Sequence, residues 1–211
     1  MKENNNKAKS LKNYLDEKNI QADPFTLFRA WLNEAVKAKL PEPTAMALAT
    51  ASKDGKPYAR IVLLKKFDER GFVFYTNYES NKGKQINSNP NAALVFYWCE
   101  FERQIRVEGI IKKISTKESD EYFNSRPVLS RISAIISPQS QVVPNRNYLE
   151  NLFNEYKKKV SKEEIKRPPK WGGYCLNPNS IEFWQGRENR LHDRLLFTKH
   201  KNVWLINRLA P

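Results

Sequence analysis

The chain has 211 residues, of which 40% are apolar and 12% aromatic, a composition that is sufficient for a packed core and excludes global disorder. No apolar run approaches the roughly 20 residues of a membrane helix, and the polar start lacks the apolar middle region of a signal peptide, so we expect a cytoplasmic protein. Cys99 and Cys175 lack metal-ligand or CxxC spacing, and we expect both to be reduced thiols. The net charge of +14 attracts anions such as nucleic acid, anionic lipid or phosphorylated metabolites, or serves only as a basic surface that aids solubility.

The N-terminal part of the chain predicts an arm followed by one helix. Residues 1–22 are rich in lysine and asparagine and have few apolar positions, so we interpret them as a flexible arm. Asp23 followed by Pro24 is a strong helix start, because an N-cap carboxylate precedes proline at the first helical position. Apolar residues then recur at helical spacing, which predicts an amphipathic helix to about Lys39.

From residue 44 the sequence pattern is typical of β-strands. AMALATAS and PYARIVLLKKF lie on either side of Asp54-Gly55 and predict a hairpin on a two-residue turn. Three more strands are predicted in GFVFYTN, AALVFYWC and RQIRVEGIIKKI. A short helix is predicted in SNKGKQINSNP, between the first and the second of these three strands.

The second half of the chain predicts helices and then strands. Ser115 and Glu118 fit a capping box that begins a helix to about residue 124, and further helices are predicted around 129–136 and 147–160. RPPKWGGY is typical of a linker, and IEFWQG, RLHDRLLFT and NVWLINRL predict the last strands. The sum is a mainly β fold, an antiparallel barrel of seven or eight strands with attached helices, in a single domain over residues 23–211.

Common nucleotide-binding and metal-binding motifs are absent from the sequence. There is no GxGxxG after a strand and no Walker loop, and the chain has only seven glycines. A phosphate must therefore be held by side chains and a helix start rather than by a glycine-rich loop. No Cys/His cluster has metal spacing and no Gly-x-Ser-x-Gly elbow occurs, so we predict no metal site.

The segment EFWQGRENRLHDR concentrates charged and aromatic residues near the C-terminus. If RLHDRLL is a strand, its period of two puts Arg190, His192 and Arg194 on one face, where the arginines repel each other unless an anion or water lies over them. This pattern fits a ligand site and a solvated outer barrel face about equally. We expect Arg187 to be a solvated turn residue, and Trp184 to be either core or a platform for a flat ring.

Other polar residues lie on predicted strands and helix starts. Arg60 and Lys65 bracket an apolar strand with opposite parity, so they point to opposite faces or, as is more common, simply reach solvent. Ser80 and Lys82 lie at a helix start, where free amides and the helix dipole favour an anion, although many such starts bind nothing. Gln104, a polar residue within an apolar strand, either satisfies the fold or binds a polar heterocycle.

The segment EYFNSRP offers a possible anion site. Tyr122 and Arg126 are four residues apart, which is one helical turn, and Ser130 follows just beyond. A phenol, a guanidinium and a hydroxyl directed to one point form a phosphate cup, whereas the alternative is an exposed Tyr–Arg pair at a helix end.

Taken together, these segments resemble one family, the pyridoxamine 5′-phosphate oxidases, which are flavin enzymes of vitamin B6 metabolism. The resemblance rests on ADPFTLFRAWL, PTAMALAT, PYARIVLLK, GFVFYTN, ERQIRVEG, YFNSRP, SPQSQ, WGGY, IEFWQGRENRLHDR and the terminal INRLAP. It runs in order over residues 22–211. It implies an FMN-binding split β-barrel that works as a homodimer, with FMN in the dimer interface.

The resemblance also implies which residues form the site. Those that it assigns to FMN are Arg60, Ile61, Val62, Leu63, Leu64, Lys65, Tyr75, Thr76, Asn81, Lys82, Gln104, Gln139, Ser140, Trp184 and Arg194. Those that it assigns to the substrate are Tyr14, Lys65, Tyr122, Arg126, Ser130, Arg190, Leu191 and His192. Arg190 and His192 are the implied catalytic residues, over the substrate ring and near its reacting carbon.

The sequence departs from the family pattern at several positions. Asn81 stands where the family often has an arginine beside the flavin phosphate, and Arg187 and Asn189 replace a commoner glycine and histidine. In the arm, Tyr14 matches a tyrosine that closes over the substrate, but Leu11 takes the place of the arginine three residues before it.

The implied reaction is oxidation of pyridoxamine or pyridoxine 5′-phosphate to pyridoxal 5′-phosphate, with O2 as acceptor and hydrogen peroxide as product. One alternative is an FMN- or pyridoxal-phosphate-binding protein without efficient turnover, which only the departures at Leu11 and Asn81 favour. The others are a split-barrel flavoprotein with a different substrate, and a nucleic-acid-binding protein suggested only by the net charge. We expect neither nucleic acid nor a membrane as a partner.

Overall fold

The computed structural model describes residues 15–17, 20, 23–159, 165–201 and 203–211. The helices are α1 (Pro24–Lys37), α2 (Asn81–Ser88), α3 (Thr116–Ser125), α4 (Val128–Ile136) and α5 (Arg146–Lys159). The strands are β1 (Ala45–Ala51), β2 (Pro57–Leu63), β3 (Lys66–Asp68), β4 (Gly71–Asn77), β5 (Asn91–Trp98), β6 (Arg103–Lys113), β7 (Trp171–Gln185), β8 (Asp193–His200) and β9 (Val203–Arg208). In these ranges no helix combines the length and the apolar character that crossing a membrane requires.

The helix starts follow from local capping chemistry. The Asp23 carboxylate accepts hydrogen bonds from the main-chain N–H groups of Phe25 and Thr26 and so caps α1. Ser115 and Glu118 form the predicted capping box at the start of α3, each side chain accepting from the other residue's main-chain N–H. Both predictions are confirmed.

All strand pairs are antiparallel, and the central order is β2-β1-β5-β6-β7-β4-β3. β7 also pairs with β8, and β8 pairs with β9. The sheet curls until β2 comes back against β4, which makes the split β-barrel expected from the sequence. β7 spans 15 residues. Its first part pairs with β4 and its last part with β8, so it joins the β8–β9 hairpin to the rest of the sheet.

Strict alternation along the strands fills the barrel. In β6, Ile105 and Val107 are fully buried, while Gln104 and Arg106, which alternate with them, are half-buried on the outer face. The inner face packs with aromatic rings on the apolar stripe of α1, where Phe28 contacts Phe72 edge-to-face with ring centroids 4.9 Å apart. Burial of this stripe supplies the main driving force for the fold.

The outer face of the sheet remains apolar at one edge. Ile61 and Leu63 on β2 are 66% and 36% exposed, and Tyr97 on β5 is 63% exposed. The two β2 residues have small neighbours on β1, since Ile61 lies opposite Ala47 and Leu63 opposite Ala45. An uncharged outer face of this kind favours burial against another protein surface.

Several element boundaries differ from the sequence prediction. The hairpin between β1 and β2 turns through the whole loop of residues 52–56 rather than on Asp54-Gly55 alone. The predicted strand PYARIVLLKKF divides into β2 and β3, and β7 already begins at Trp171 inside the predicted linker. Nine strands therefore form among the described residues, in place of seven or eight.

The predicted arm is described only in part. Leu15 is buried in the main core, and its carbonyl and the Glu17 carboxylate accept hydrogen bonds from Arg208 on β9. The segment from Leu15 to Glu17 is therefore held against the barrel, whereas the sequence predicted a flexible arm over all of residues 1–22. Leu11 and Tyr14 lie outside the described residues.

Candidate active site

Two half-buried cations meet at the start of α2. The Arg60 guanidinium on β2 donates to Thr50 Oγ1 (2.6 Å), to Gln85 Oε1 (2.8 Å) and to a main-chain carbonyl. Lys82 Nζ donates to Thr76 Oγ1 at 3.3 Å. Burial lowers the pKa of both groups, and the Arg60 charge lowers that of Lys82 further. Since no described carboxylate pairs with either cation, the pair favours an anion.

The helix start itself contributes to this anion site. Ser80 caps α2 by accepting from the N–H of Gly83, which leaves the N–H groups of Asn81 and Lys82 at the positive end of the helix dipole. Asn81 is exposed. The helix start predicted from the sequence is therefore present, and Arg60 from a distant strand lies beside it.

A loop after α4 closes one side of this region. Gln139 Oε1 accepts hydrogen bonds from Thr76 Oγ1 (2.9 Å) and from the main-chain N–H of Asn77 (3.3 Å). Ser140 follows with a positive φ of 71°. The structure thus brings together Thr76, Lys82 and the loop at Gln139, three positions that the resemblance assigns to FMN.

The strand from Arg60 to Lys65 presents its side chains alternately. Arg60 and Val62 point to the barrel side, Ile61 and Leu63 are exposed on the outer face, and Leu64 is buried. Lys65 lies beyond the end of β2 and is exposed, while its main-chain N–H donates to the carbonyl of Val73. The sequence prediction that Lys65 points away from Arg60 assumed that both residues lie on one strand. Because Lys65 lies beyond the end of β2, strand alternation does not fix the direction of its side chain.

Three aromatic rings stack next to the anion site. Tyr75 lies on Tyr122 with ring centroids 3.8 Å apart at 19°, and Tyr75 lies on Trp171 at 5.5 Å. Burial raises the pKa of Tyr75 to about 12 and raises that of Tyr122. Trp171 was not predicted as a site residue, because its segment was interpreted as a linker.

A third half-buried cation, Arg126, lies over this stack. The Arg126 guanidinium lies 4.8 Å from the Trp171 ring centroid, and burial lowers its pKa. Its Nη1 is buried without a hydrogen-bond partner, and no described carboxylate pairs with it. Ser130 is half-buried on the first turn of α4, whose cap residue Pro127 makes no side-chain hydrogen bond. A guanidinium with an unsatisfied buried N–H next to free helix amides favours an oxyanion.

Arg131 was missed by the sequence analysis. It follows Ser130 on α4, is 7% exposed, and has a buried Nε without a partner. An arginine within the apolar run of RISAII was the available sequence signal.

A separate group of residues lies at the other end of β7. Gln104, Trp184 and Arg194 are direct cross-strand neighbours on β6, β7 and β8, on the outer face of the barrel. The His192 ring lies against Trp184 with centroids 4.7 Å apart. The Arg194 guanidinium donates to Glu182 Oε1 and to the carbonyl of Ala210, both at 2.8 Å, so it is already neutralised in part.

The predicted strand RLHDRLL is wrong at its start. Residues Glu188–Arg190 form a 3-10 turn, with Asn189 and Arg190 at φ values of 56° and 59°, and β8 begins only at Asp193. The alternation that put Arg190 and His192 on one strand face therefore does not apply. Arg190 is exposed and Leu191 is 70% exposed, so both point outward from this turn.

The expectation that Arg187 is a solvated turn residue is also wrong. Its side chain is 15% exposed and binds the Asp193 carboxylate through Nε (2.6 Å) and Nη2. Its main-chain N–H donates to Nδ1 of His192 at 3.0 Å. The sequence analysis missed these contacts because it treated the segment as a strand, whereas the contacts form only when the chain turns at residues 188–190.

The two groups do not meet within one chain. Trp171 is the first residue of β7 and Trp184 the last but one, which corresponds to roughly 40 Å of strand at about 3.3 Å per residue. The first group gathers around Trp171, and the second, with Arg190 and His192, around Trp184. Each group is incomplete as a pocket for an aromatic ligand.

The fold defines the chain as a split-barrel protein, and its two groups of buried, uncompensated cations favour anions. Residues 32–159 match the family described as pyridoxamine 5′-phosphate oxidase, and residues 171–211 match the pyridoxine 5′-phosphate oxidase C-terminal dimerisation region. The chain belongs to the pyridoxamine 5′-phosphate oxidase family and is an oxidoreductase.

Curated relatives share this assignment over nearly their whole length. A pyridoxine/pyridoxamine 5′-phosphate oxidase from Burkholderia vietnamiensis is 56% identical over 200 residues, 93% of each chain. One of the same name from Nostoc punctiforme is 52% identical over 198 residues, which are 93% of this chain and 92% of the relative.

Two solved structures are similar in fold. PhzG from Burkholderia lata, in complex with tetrahydrophenazine-1-carboxylic acid, has a TM-score of 0.88 at 32% identity and covers 94% of this chain and 98% of its own. A pyridoxamine 5′-phosphate oxidase-related, FMN-binding protein from Nostoc punctiforme has a TM-score of 0.75 at 19% identity, and it covers 91% of this chain and 100% of its own. The second likeness supports the split barrel alone.

Proposed function

We propose that the protein oxidises pyridoxamine 5′-phosphate or pyridoxine 5′-phosphate to pyridoxal 5′-phosphate, with FMN as cofactor and O2 as electron acceptor. The observation that carries the proposal is the pair of anion-binding groups, Arg60 with Lys82 and Arg126 with the start of α4, which have no described carboxylate partner. Arg126 lies over the aromatic stack, and Lys82 contacts Thr76, the neighbour of the stacked Tyr75. Two phosphorylated aromatic rings, a cofactor and a substrate, match two such groups. Residues 23–211 act as one FMN-binding unit.

The residues present fit FMN. Arg60, Lys82 and the start of α2 would hold its phosphate, because these cations are desolvated and uncompensated. Gln104 would bind a polar edge of the flavin ring, since its half-buried side-chain amide makes no hydrogen bond within the described part of the chain. The remaining proposed contacts are Ile61, Val62, Leu63, Leu64, Lys65, Tyr75, Thr76, Asn81, Gln139, Ser140, Trp184 and Arg194.

The substrate phosphate would lie at Arg126. The unsatisfied Nη1 of this arginine, the Tyr122 hydroxyl and the Ser130 hydroxyl are the donors, and Lys65 adds a positive charge from the end of β2. These donors fix the ring in position, which lowers the entropic part of the activation barrier. Tyr14, outside the described residues, is proposed as a further contact.

Arg190 and His192 would act on the ring that Arg126 positions. Arg190 is exposed and pairs with no described carboxylate, so it is available to stabilise negative charge on a substrate. His192 accepts a hydrogen bond at Nδ1, so its neutral form carries the proton at Nε2 and directs a donor outward. Leu191 between them supplies apolar contact. Bound FMN would supply the redox chemistry, as the acceptor of two electrons from the substrate and their donor to O2.

These roles require a second copy of the chain. Arg126 and Arg190 belong to groups at opposite ends of β7, so one chain cannot place both on the same substrate. The exposed apolar side chains Ile61, Leu63 and Tyr97 provide a surface for self-association. The match of residues 171–211 to a dimerisation region supports a homodimer in which each site takes Arg126 from one protomer and Arg190 from its partner.

A second candidate follows from the likeness to PhzG. The protein would then oxidise a reduced tricyclic carboxylic acid in place of a B6 phosphate. Arg126, Tyr122 and Ser130 favour the phosphate, because three donors at a helix start suit its three terminal oxygens.

The test is flavin reduction without oxygen. The purified protein loaded with FMN should be yellow, bleach when pyridoxamine 5′-phosphate is added anaerobically, and regain colour in air. Pyridoxamine without its phosphate is the control and should bleach the flavin far more slowly. Bleaching by tetrahydrophenazine-1-carboxylic acid but not by the B6 phosphates would support the second candidate, and FMN binding without any bleaching would leave a binding protein without turnover.

A further inference from the structure

A chain of ion pairs runs from the N-terminal segment to the turn that bears His192. Arg208 on β9 donates to Glu17 Oε2 (2.6 Å) and to Asp193 Oδ1 (2.7 Å). The other oxygen of Asp193 accepts from Nε and Nη2 of Arg187. The Arg187 main-chain N–H then donates to His192 Nδ1. Asp193, the first residue of β8, thus holds two arginines, one on each carboxylate oxygen.

The turn at residues 188–190 needs such support. Asn189 and Arg190 both adopt positive φ, a conformation that costs energy in residues with a Cβ, and the turn has no side-chain cap. Glu188, Asn189, Arg190 and Leu191 are all exposed, so core packing does not fix them. The contacts that hold the turn include the Arg187–Asp193 ion pair, the bond to His192 and the contact of His192 with the Trp184 ring. Main-chain bonds from Leu191 to Glu188 and from Gly186 to Glu102 add to them.

We propose that Arg187 and Asp193 are positioning residues for His192 and Arg190: their ion pair fixes the main chain at Arg187 so that its N–H binds His192 Nδ1 and leaves Nε2 directed at the substrate. The inference rests on the proposed oxidase function, in which His192 and Arg190 contact the substrate. Arg187 and Asp193 themselves act through the turn. Arg208 extends the support by tying Asp193 to the segment at Leu15 and Glu17.

Asp193 is well placed for this task because it is 16% exposed and bound from two sides. A charge-assisted pair in a partly buried position is stiffer and stronger than one in open solvent. A misplacement of about 1 Å near the reacting atoms lowers turnover substantially, so the geometry of the turn matters more than its charge.

Steady-state kinetics on the FMN-loaded enzyme test the ion pair. Arg187→Ala, Asp193→Asn and the double variant should each lower kcat for pyridoxamine 5′-phosphate by roughly 10-fold with little change in KM, and the double variant should be no worse than either single one. Arg187→Lys, which keeps a positive charge for Asp193, should recover part of the loss. Arg70→Ala, which removes an ion pair to Asp68 and Glu118 away from the turn, is the matched control and should keep the wild-type kcat.

A spectroscopic measurement tests the position of His192 without substrate. The chain has only two histidines, His192 and His200, and His200 is exposed at the end of β8, so selective 15N-histidine labelling gives an internal reference. The Nδ1 signal of His192 should show an accepted hydrogen bond in the wild type and should shift toward that of His200 in Arg187→Ala and Asp193→Asn.

Additive losses in the double variant, or an Nδ1 signal unchanged in both single variants, would overturn the inference. A fall in thermal stability with unaltered kcat would also overturn it, because that outcome describes a purely structural ion pair. Failure of the proposed function is separate: the wild type would then oxidise neither B6 phosphate, while the imidazole signals would still decide whether the ion pair positions His192.

Discussion

Trp171 and Trp184 lie at the two ends of the same strand, and each anchors one half of the candidate site. Trp171 stacks with Tyr75, and the Arg126 guanidinium lies over its ring, whereas Trp184 contacts the His192 ring. The length of β7 keeps these halves apart in one protomer. In the proposed function a complete site therefore takes one half from each of two copies of the chain, and the first prediction tests that proposal.

Two variants that each have low activity at substrate concentrations well below KM should restore activity to each other when they are mixed and assayed under that condition. Arg126→Ala and Arg190→Ala each remove one half of every site in a homodimer. After joint unfolding and refolding, a statistical mixture should regain about one quarter of the wild-type sites, because half of the dimers are mixed and each of these has one intact site. Activity of the refolded mixture, compared with each variant refolded alone, measures the effect.

A mixture of Arg126→Ala with Tyr122→Phe serves as the control for complementation. Both changes fall in the same half of the site, so no combination of protomers rebuilds a wild-type site. Equal recovery in both mixtures, or none in the first, would contradict a site shared between protomers.

Arg126 and Arg190 should differ in their kinetic effects. Arg126→Ala removes a phosphate contact made equally before and during the reaction, so KM should rise by roughly 10-fold or more with a smaller change in kcat. Arg190→Ala should mainly lower kcat, by roughly 100-fold, if its charge acts on the reacting ring. Arg146→Ala, which breaks an exposed pair with Glu150, is the surface control. A fall mainly in kcat for Arg126→Ala and a rise mainly in KM for Arg190→Ala would contradict the roles proposed for these two arginines.

Lys82 should control FMN affinity. Lys82→Ala removes one of two uncompensated cations at the start of α2, and we expect the dissociation constant for FMN to rise by roughly 10- to 100-fold. Lys84→Ala is the matched control, since this exposed lysine lies on the same helix and makes no described side-chain contact. Fluorescence titration of the apoprotein with FMN gives both values, and similar weakening in both variants would indicate a general charge effect.

Acid should reduce stability partly through Glu118. Hydrogen bonds from Arg70, and to a lesser extent from Ser115, lower the pKa of Glu118 to about 2 from its ordinary 4.5. A carboxylate with a lowered folded-state pKa contributes stability above pH 4.5, and that contribution is lost as the pH falls toward about 2. Glu118→Gln, which still fits a capping box, should therefore show a shallower loss of unfolding free energy over this interval in denaturant titrations. Glu69→Gln, in an exposed turn, should follow the wild type.

Local sequence was sufficient for the elements whose signals are local. The Asp23 cap and the Ser115–Glu118 capping box set the starts of α1 and α3 through contacts within three residues. GFVFYTN matches β4 because the turn residues around it and its apolar side chains agree. The sequence prediction was wrong where strand pairing decides the secondary structure. Trp171 was predicted to lie in a linker, but its main chain begins β7 because β4 pairs with it.

The candidate site divides in the same way. Residue types and the family resemblance named Arg60, Lys82, Arg126 and Trp184 from the sequence alone, because charge and aromatic character are properties of single residues. Only the tertiary structure showed that Arg187 binds Asp193, that Arg190 leaves the strand, and that the two halves of the site lie at opposite ends of β7. Contacts of this kind depend on backbone turns and on strand register, which long-range packing fixes and no local pattern encodes.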